Sequence, residues 1–168
     1  MKFKISKSKI EGKGLFCTEP IKAGELLFTS KGLRTLNKST TIEDAQITHK
    51  HSISIDEKTI HCPLPDDPLR FLNHSCDCNC YVDHEHKFYA KRAIQPGEEI
   101  TIDYSFVDAD IYWRMIGCRC NNKKCRGLIS SSLLLSRDFF EKNLPYIPKK
   151  IRRFNAKFYG IPFTKYDC

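Results

Sequence analysis

The strongest constraint on how this chain folds is its distribution of cysteines. Cys118-Arg119-Cys120 is followed by Cys125, a C-x-C-x4-C spacing, and Cys76, Cys78 and Cys80 alternate earlier in the chain. Three thiolates packed so closely fill three corners of a tetrahedral zinc site. The fourth corner is open to Cys76, Cys78, Cys80, Cys62 or a histidine. Cysteines number nine, an odd count, and the N-terminal lysines precede no long apolar run of the kind an export signal carries. A metal therefore explains these cysteines better than disulfides do.

With 168 residues, 40% of them apolar and 29% charged, the chain reads as one globular domain with a short C-terminal appendage. No stretch approaches the roughly 18 apolar residues of a membrane span, so the expectation is a soluble, intracellular protein, nuclear or cytoplasmic. The net charge of +8 is uneven. Residues 1–41 carry nine basic and three acidic groups, residues 42–136 eleven and fourteen, and residues 137–168 eight and three. Two basic ends flank a mildly acidic middle. Such ends either touch nucleic acid or another acidic surface, or are simply solvated.

Along the chain, Lys2–Ser6, Leu15–Cys17 and Glu25–Thr29 read as short strands punctuated by Gly12, Gly14 and the Pro20–Gly24 turn. Residues 40–50 are weakly helical, and Ser52–Asp56 alternates like a strand. Pro63, Pro65 and Pro68 forbid regular structure until Leu69. Phe88–Arg92 and Glu99–Tyr104 are strands on either side of a Pro96-Gly97 type II turn. Asp108–Ile116 reads as a short helix, and Leu133–Asn143 as an amphipathic one with Leu134, Leu135, Phe139 and Phe140 near one face. Pro145 and Pro148 end it, and the basic, aromatic tail beginning at Lys149 has helical character up to Gly160.

Two further segments carry candidate chemistry. In Arg70-Phe71-Leu72-Asn73-His74-Ser75-Cys76, with Asn79 following, side chains can fix a loop while backbone groups read a ligand. Gly97-Glu98-Glu99-Ile100-Thr101-Ile102-Asp103-Tyr104 is a strand running into an aromatic residue. Taken in order with Lys9–Phe16, Ile21–Leu27 and Cys118–Gly127, these motifs resemble the SET family of lysine methyltransferases. Arg70–Asn79 is similar to the family's R-F-x-N-H-S-C-x-P-N motif, Ile94–Tyr104 to its I-x-x-G-E-E-I-T-x-D-Y motif, and Cys118–Gly127 to the cysteine-rich post-SET segment. The likeness covers about residues 3–132.

The resemblance implies a mainly β fold with short helices: small curved sheets around a knot-like core, a zinc-bound post-SET segment and a C-terminal helix. It divides the chain into a SET domain over 1–110, a post-SET zinc segment over 111–132 and a basic helical appendage over 133–168. It implies S-adenosyl-L-methionine as cofactor, lined by Lys13, Gly14 and Leu15, held by Asn73 and His74, and covered by Leu128. It makes Cys76 the fourth zinc ligand beside Cys118, Cys120 and Cys125, so that one zinc ion is structural. It makes Tyr104 the catalytic tyrosine, in contact with the cofactor methyl, with Ile102 and Phe106 along the substrate channel.

This sequence also departs from the family pattern. Cys78 stands where proline is usual. Ile102 occupies a position where many members carry Phe or Tyr, which leaves room for di- or trimethylation. A tyrosine often found ahead of the Asn-His-Ser motif has no counterpart in Thr48–Ile55, where His49 and His51 stand. The expected activity is lysine N-methylation of a histone or another basic protein tail, with nucleic acid or the nucleosome as a further contact of the basic ends. The competing expectation is a catalytically weak module that binds protein or nucleic acid through those ends.

Overall fold

The computed structural model describes residues 1–32, 51–53, 60–108, 113–131 and 136–158. Among the described residues, nine short strands make up most of the regular structure. They are β1 (Phe3–Lys7), β2 (Lys13–Cys17), β3 (Leu26–Thr29), β4 (Asn73–His74), β5 (Cys80–Val82), β6 (Lys87–Ala90), β7 (Glu99–Ile102), β8 (Arg114–Ile116) and β9 (Leu128–Ser130). The α-helices among the described residues are α1 (Arg137–Asn143) and α2 (Lys149–Phe158). The architecture is mainly β, in line with the sequence. Seven strands form one sheet in the order β1-β2-β7-β5-β6-β3, with β4 also on β7.

β7 is the hub of this sheet. On one edge it pairs antiparallel with β2 (Leu15 opposite Ile100), then parallel with β4 (Asn73 opposite Thr101, His74 opposite Ile102). On its other edge Cys80 of β5 lies opposite Ile102. Two segments far apart in sequence are thereby drawn to the end of β7, just before Tyr104. The side chain of Asn79 substitutes for missing strand partners: its Nδ2 donates to the Glu99 carbonyl (2.9 Å) and its Oδ1 accepts from Thr101 N–H (2.9 Å). Glu98 N–H closes the Gln95-Pro96-Gly97 turn onto the Gln95 carbonyl at 3.0 Å, and Gly97 takes the positive φ of 88° that a type II turn demands.

Apolar side chains, most of them β-branched or aromatic, meet beneath the sheet: Leu15, Phe28, Val82, Phe88, Ile100 and Ile102 from the strands are buried together with Ile94. Phe28 stacks on Phe88 with centroids 4.5 Å apart. Each such side chain contributes about 1.5–3 kcal/mol by leaving water. Phe140 of α1, Ile147, and Ile151 and Ala156 of α2 belong to the same buried cluster, so the C-terminal helices close the core.

The structure corrects three readings of the sequence. Asp108–Ile116 is not a helix through its end, because Arg114–Ile116 is strand β8, paired antiparallel with β9. A partner strand from beyond the cysteines overrides a local preference that residues 108–116 cannot resolve alone. β7 stops at Ile102 rather than Tyr104, because Asp103 caps a 3-10 turn over Tyr104–Phe106. The second-half helix starts at Arg137 rather than Leu133. Ser136 is its N-cap, with the hydroxyl accepting from Phe139 N–H at 3.3 Å. The readings of residues 40–50, of 54–56, of Leu134 and Leu135, and of 159–160 fall outside the described residues.

Candidate active site

The end of β7 opens into a cavity of about 470 Å3, lined by Leu72, Asn73, Ile102, Tyr104, Val107 and Trp113, with Glu11, Arg70 and Asp108 among its polar groups. Tyr104 is held there by its turn. Its hydroxyl donates to the Leu72 carbonyl at 2.9 Å, and its N–H donates to His74 Nδ1 at 3.2 Å. Burial, then the nearby carboxylates of Glu11 and Glu99, push the phenol up to about 12. The hydroxyl therefore remains protonated and acts as a donor.

His74 is 3% exposed. Because a backbone N–H occupies Nδ1, the ring proton resides on Nε2, which faces Cys76 Sγ at 3.3 Å. Burial pushes the ring down to about 4, so it is neutral. Asp103 Oδ1 lies 3.7 Å from Nδ1, but a neutral ring nitrogen that already accepts a bond is no counter-ion. The partner of Asp103 is Arg126, whose Nη1 and Nη2 donate to the two carboxylate oxygens at 2.8 and 2.6 Å. Both ring nitrogens of His74 are thus engaged within the protein, and its ring offers no open nitrogen to a ligand.

Asn73 occupies the wall facing β2. Its Nδ2 lies within bonding distance of the Glu11 and Lys13 carbonyls (3.1 Å each) and of Glu99 Oε1 (2.8 Å). Glu99 Oε2 in turn accepts from Ser8 Oγ at 2.9 Å. A Cβ at Gly14 would sit 2.2 Å from Glu99 Oε1, so glycine is the residue that lets this carboxylate enter. The segment Glu11–Gly14 is thereby fixed against Asn73, at the edge of the cavity. Lys13 is exposed, and Leu15 is fully buried in the core.

On the other side of His74 lies the cysteine cluster. The sulfurs of Cys76, Cys118, Cys120 and Cys125 all lie within 4.8 Å of one another. Tetrahedral zinc with Zn–S bonds of about 2.3 Å sets its sulfurs roughly 3.8 Å apart, and Cys76 Sγ is 4.0 Å from Cys118 Sγ. The donor set and spacing are compatible with a zinc site, and the fourth sulfur is that of Cys76. Burial pushes the Cys76 thiol up to about 11. At Cys120 burial also pushes upward, but hydrogen bonds from the backbones of Cys76 and Asn122 and from neighbouring thiols bring it down to about 7. Cys78 is buried outside this cluster.

The remaining expected site residues are dispersed. Leu128, half exposed, lies opposite Ile116 in the β8–β9 pair, just past Cys125 of the cluster. Ile102 lines the cavity. Phe106 does not: it is 3% exposed and packs on Phe139 with centroids 5.8 Å apart. The aromatic wall beside Tyr104 is Trp113, with centroids 6.3 Å apart. Sequence reasoning missed Trp113, whose only signal is that it is the single tryptophan. It also gave no role to Arg126, although Arg126-Gly127 was part of the matched motif. His51 lines the cavity, whereas His49 falls outside the described residues.

The SET domain family model matches residues 12–105, more than half of the chain. The chain therefore belongs to the SET-domain family. It is 34% identical over 136 residues to "Histone-lysine N-methyltransferase trithorax" of Drosophila virilis, an alignment covering 73% of this chain and 3% of that protein. It is 34% identical over 142 residues to "Histone-lysine N-methyltransferase SETD1B" of Homo sapiens, covering 77% and 7%. With "Histone-lysine N-methyltransferase TRX1" of Oryza sativa subsp. japonica it shares 32% over 141 residues, covering 75% and 13%. The chain thus spans between 3% and 13% of the length of these relatives.

Proposed function

We propose that this chain is a protein-lysine N-methyltransferase that uses S-adenosyl-L-methionine and acts on a histone or another basic protein tail. The observation that carries the reading is the placement of Tyr104. A protonated hydroxyl at the end of β7 sits in a cavity shared with Asn73, Ile102 and Trp113. The relatives named above are histone-lysine N-methyltransferases, which supports the same substrate class here. S-adenosyl-L-methionine supplies an electrophilic methyl group on a sulfonium centre. Gly14, Asn73 and the Glu11–Lys13 backbone, pinned by Glu99, fit the task of holding it at one wall of the cavity. Lys13, Leu15, His74 and Leu128 complete the proposed cofactor surroundings, the first three through their main chain and Leu128 as an apolar cover.

A substrate lysine enters beside Ile102, Tyr104 and Trp113. Its ammonium has a free pKa of about 10.4 and must lose a proton before it attacks; an apolar channel favours the neutral amine. The Tyr104 hydroxyl, held by Leu72, orients the reacting groups and keeps its own proton. Alignment of this kind contributes up to about 7–11 kcal/mol in favourable systems. Glu11 and Asp108, at the cavity wall, suit a positively charged peptide. Ile102 leaves space for a second and third methyl group. The four thiolates of the cysteine cluster would fill the coordination of one zinc ion, giving it a structural role.

The test is transfer of labelled methyl from S-adenosyl-L-methionine to a panel of basic proteins, with Tyr104→Phe as control. Label on lysine that depends on Tyr104 supports the reading. Absence of transfer to every protein of the panel, with the cofactor bound, would favour a binding module instead.

A further inference from the structure

We propose that Arg126 is a positioning residue: together with Asp103 it forms a latch through which the cysteine cluster sets the place of Tyr104. The inference rests on the reading of Tyr104 as catalytic. Arg126 follows Cys125 directly and engages both partners at once. Its backbone N–H donates to Cys76 Sγ at 3.3 Å, while its guanidinium grips Asp103 with two parallel bonds of 2.8 and 2.6 Å. Nη2 also reaches Ser105 Oγ at 3.1 Å. Asp103 precedes Tyr104 and caps the turn that holds it, accepting from Ser105 N–H at 3.0 Å. Two segments separated by more than twenty residues are thus joined at the two sides of the catalytic turn.

Burial makes this contact more than a surface ion pair. The side chains of Asp103 and Arg126 are 2% and 19% exposed. The guanidinium lies over the face of Phe139 at 4.9 Å, so α1 shields it from water. A planar fork matched to a carboxylate fixes orientation as well as distance. His74 gives a second link in parallel, with Nε2 toward Cys76 and Nδ1 accepting from Tyr104 N–H. A disordered cysteine segment would release the Asp103 carboxylate and with it the Tyr104 turn. Closing the cluster and assembling the catalytic turn therefore become one event.

The test compares Arg126→Gln, Arg126→Lys, Asp103→Asn and the double variant Asp103→Asn/Arg126→Gln. It reads zinc content, kcat, KM for cofactor and peptide, and emission of Trp113, the only tryptophan, whose ring lies 6.3 Å from that of Tyr104. The latch predicts that Arg126→Gln keeps its zinc and its KM for cofactor while kcat falls about 10²-fold, a loss that misplacement of a reacting group by about 1 Å can cause. Emission of the zinc-bound variant should move toward that of the wild type stripped of zinc. Arg126→Lys should recover part of kcat, since an ammonium supplies one arm of the fork. The double variant should be no worse than the poorer single one. Wild-type kcat and emission in zinc-bound Arg126→Gln, loss of its zinc, or additive losses in the double variant would each overturn the latch. Should Arg126→Gln fail to fold, wild-type kcat in Arg126→Lys overturns it equally. A wild type that transfers no methyl sinks the methyltransferase reading alone, because the emission of zinc-bound variants needs no turnover.

Discussion

Tyr104 keeps its proton across the whole working range, because burial and the Glu11 and Glu99 carboxylates raise it to about 12. A rise of turnover with pH must then come from the substrate amine, whose neutral fraction grows toward about pH 10.4. Tyr104→Phe should lower kcat by about 10²-fold or more, as loss of a group that aligns the reactants can, while leaving zinc and cofactor bound. Its residual rate should rise with pH as steeply as that of the wild type. A flattened profile would mean that the phenol itself titrates in the rate. At Ile102, whose side chain borders the cavity, replacement by Phe should confine product to lower methylation states, read by mass spectrometry of a long incubation. Gly14→Ala drives a Cβ to 2.2 Å from Glu99 Oε1. The overpacking should cost about 1–3 kcal/mol and weaken cofactor binding, whereas Gly14→Ala combined with Glu99→Ala should recover stability in denaturant titrations. That Tyr104 and Asn73 meet at one cavity, and the four cysteines in one cluster, was legible in the sequence because the motifs containing them are continuous. Trp113 and Arg126 were not, because their roles arise only when distant segments meet.

At the scale of elements, short-range signals succeeded where the partner was local. The Pro96-Gly97 turn fixes the approach to β7 by its own backbone preferences. They failed where the partner was distant. Residues 114–116 form a strand because Leu128–Ser130 lies beside them, and that pairing is brought about across the cysteine segment. Tyr104 leaves the strand because Asp103 turns its carboxylate back onto Ser105 N–H. The start of α1 is set by Ser136, an N-cap with Asp138 in the first turn, and not by the apolar pattern that begins at Leu133. Ser136→Ala should lower stability by about 1 kcal/mol in chemical denaturation. A change near zero would show that the core contact of Phe140, and not the cap, defines the start of the helix.

Across the whole molecule, the sheet, the cysteine segment and the C-terminal helices meet around one turn. Zinc removal is expected to act through this junction: Cys76 adjoins His74, and Arg126 ties Cys125 to Asp103. The basic C-terminal appendage sends Phe140, Ile147 and Ile151 into the common core. Phe140→Ala should therefore cost about 3–5 kcal/mol, read as a lowered midpoint of cooperative unfolding. Charge could not reveal this, since the exposed face of a helix dominates composition while its buried face decides packing. The central claim, lysine methylation directed by Tyr104, is tested most directly by tandem mass spectrometry of a basic histone-type protein incubated with the chain and S-adenosyl-L-methionine. The expected result is methyl groups localised on lysine ε-nitrogen, up to three per side chain, and absent with Tyr104→Phe. Methylation that persists undiminished in Tyr104→Phe, or that falls on residues other than lysine, would contradict it.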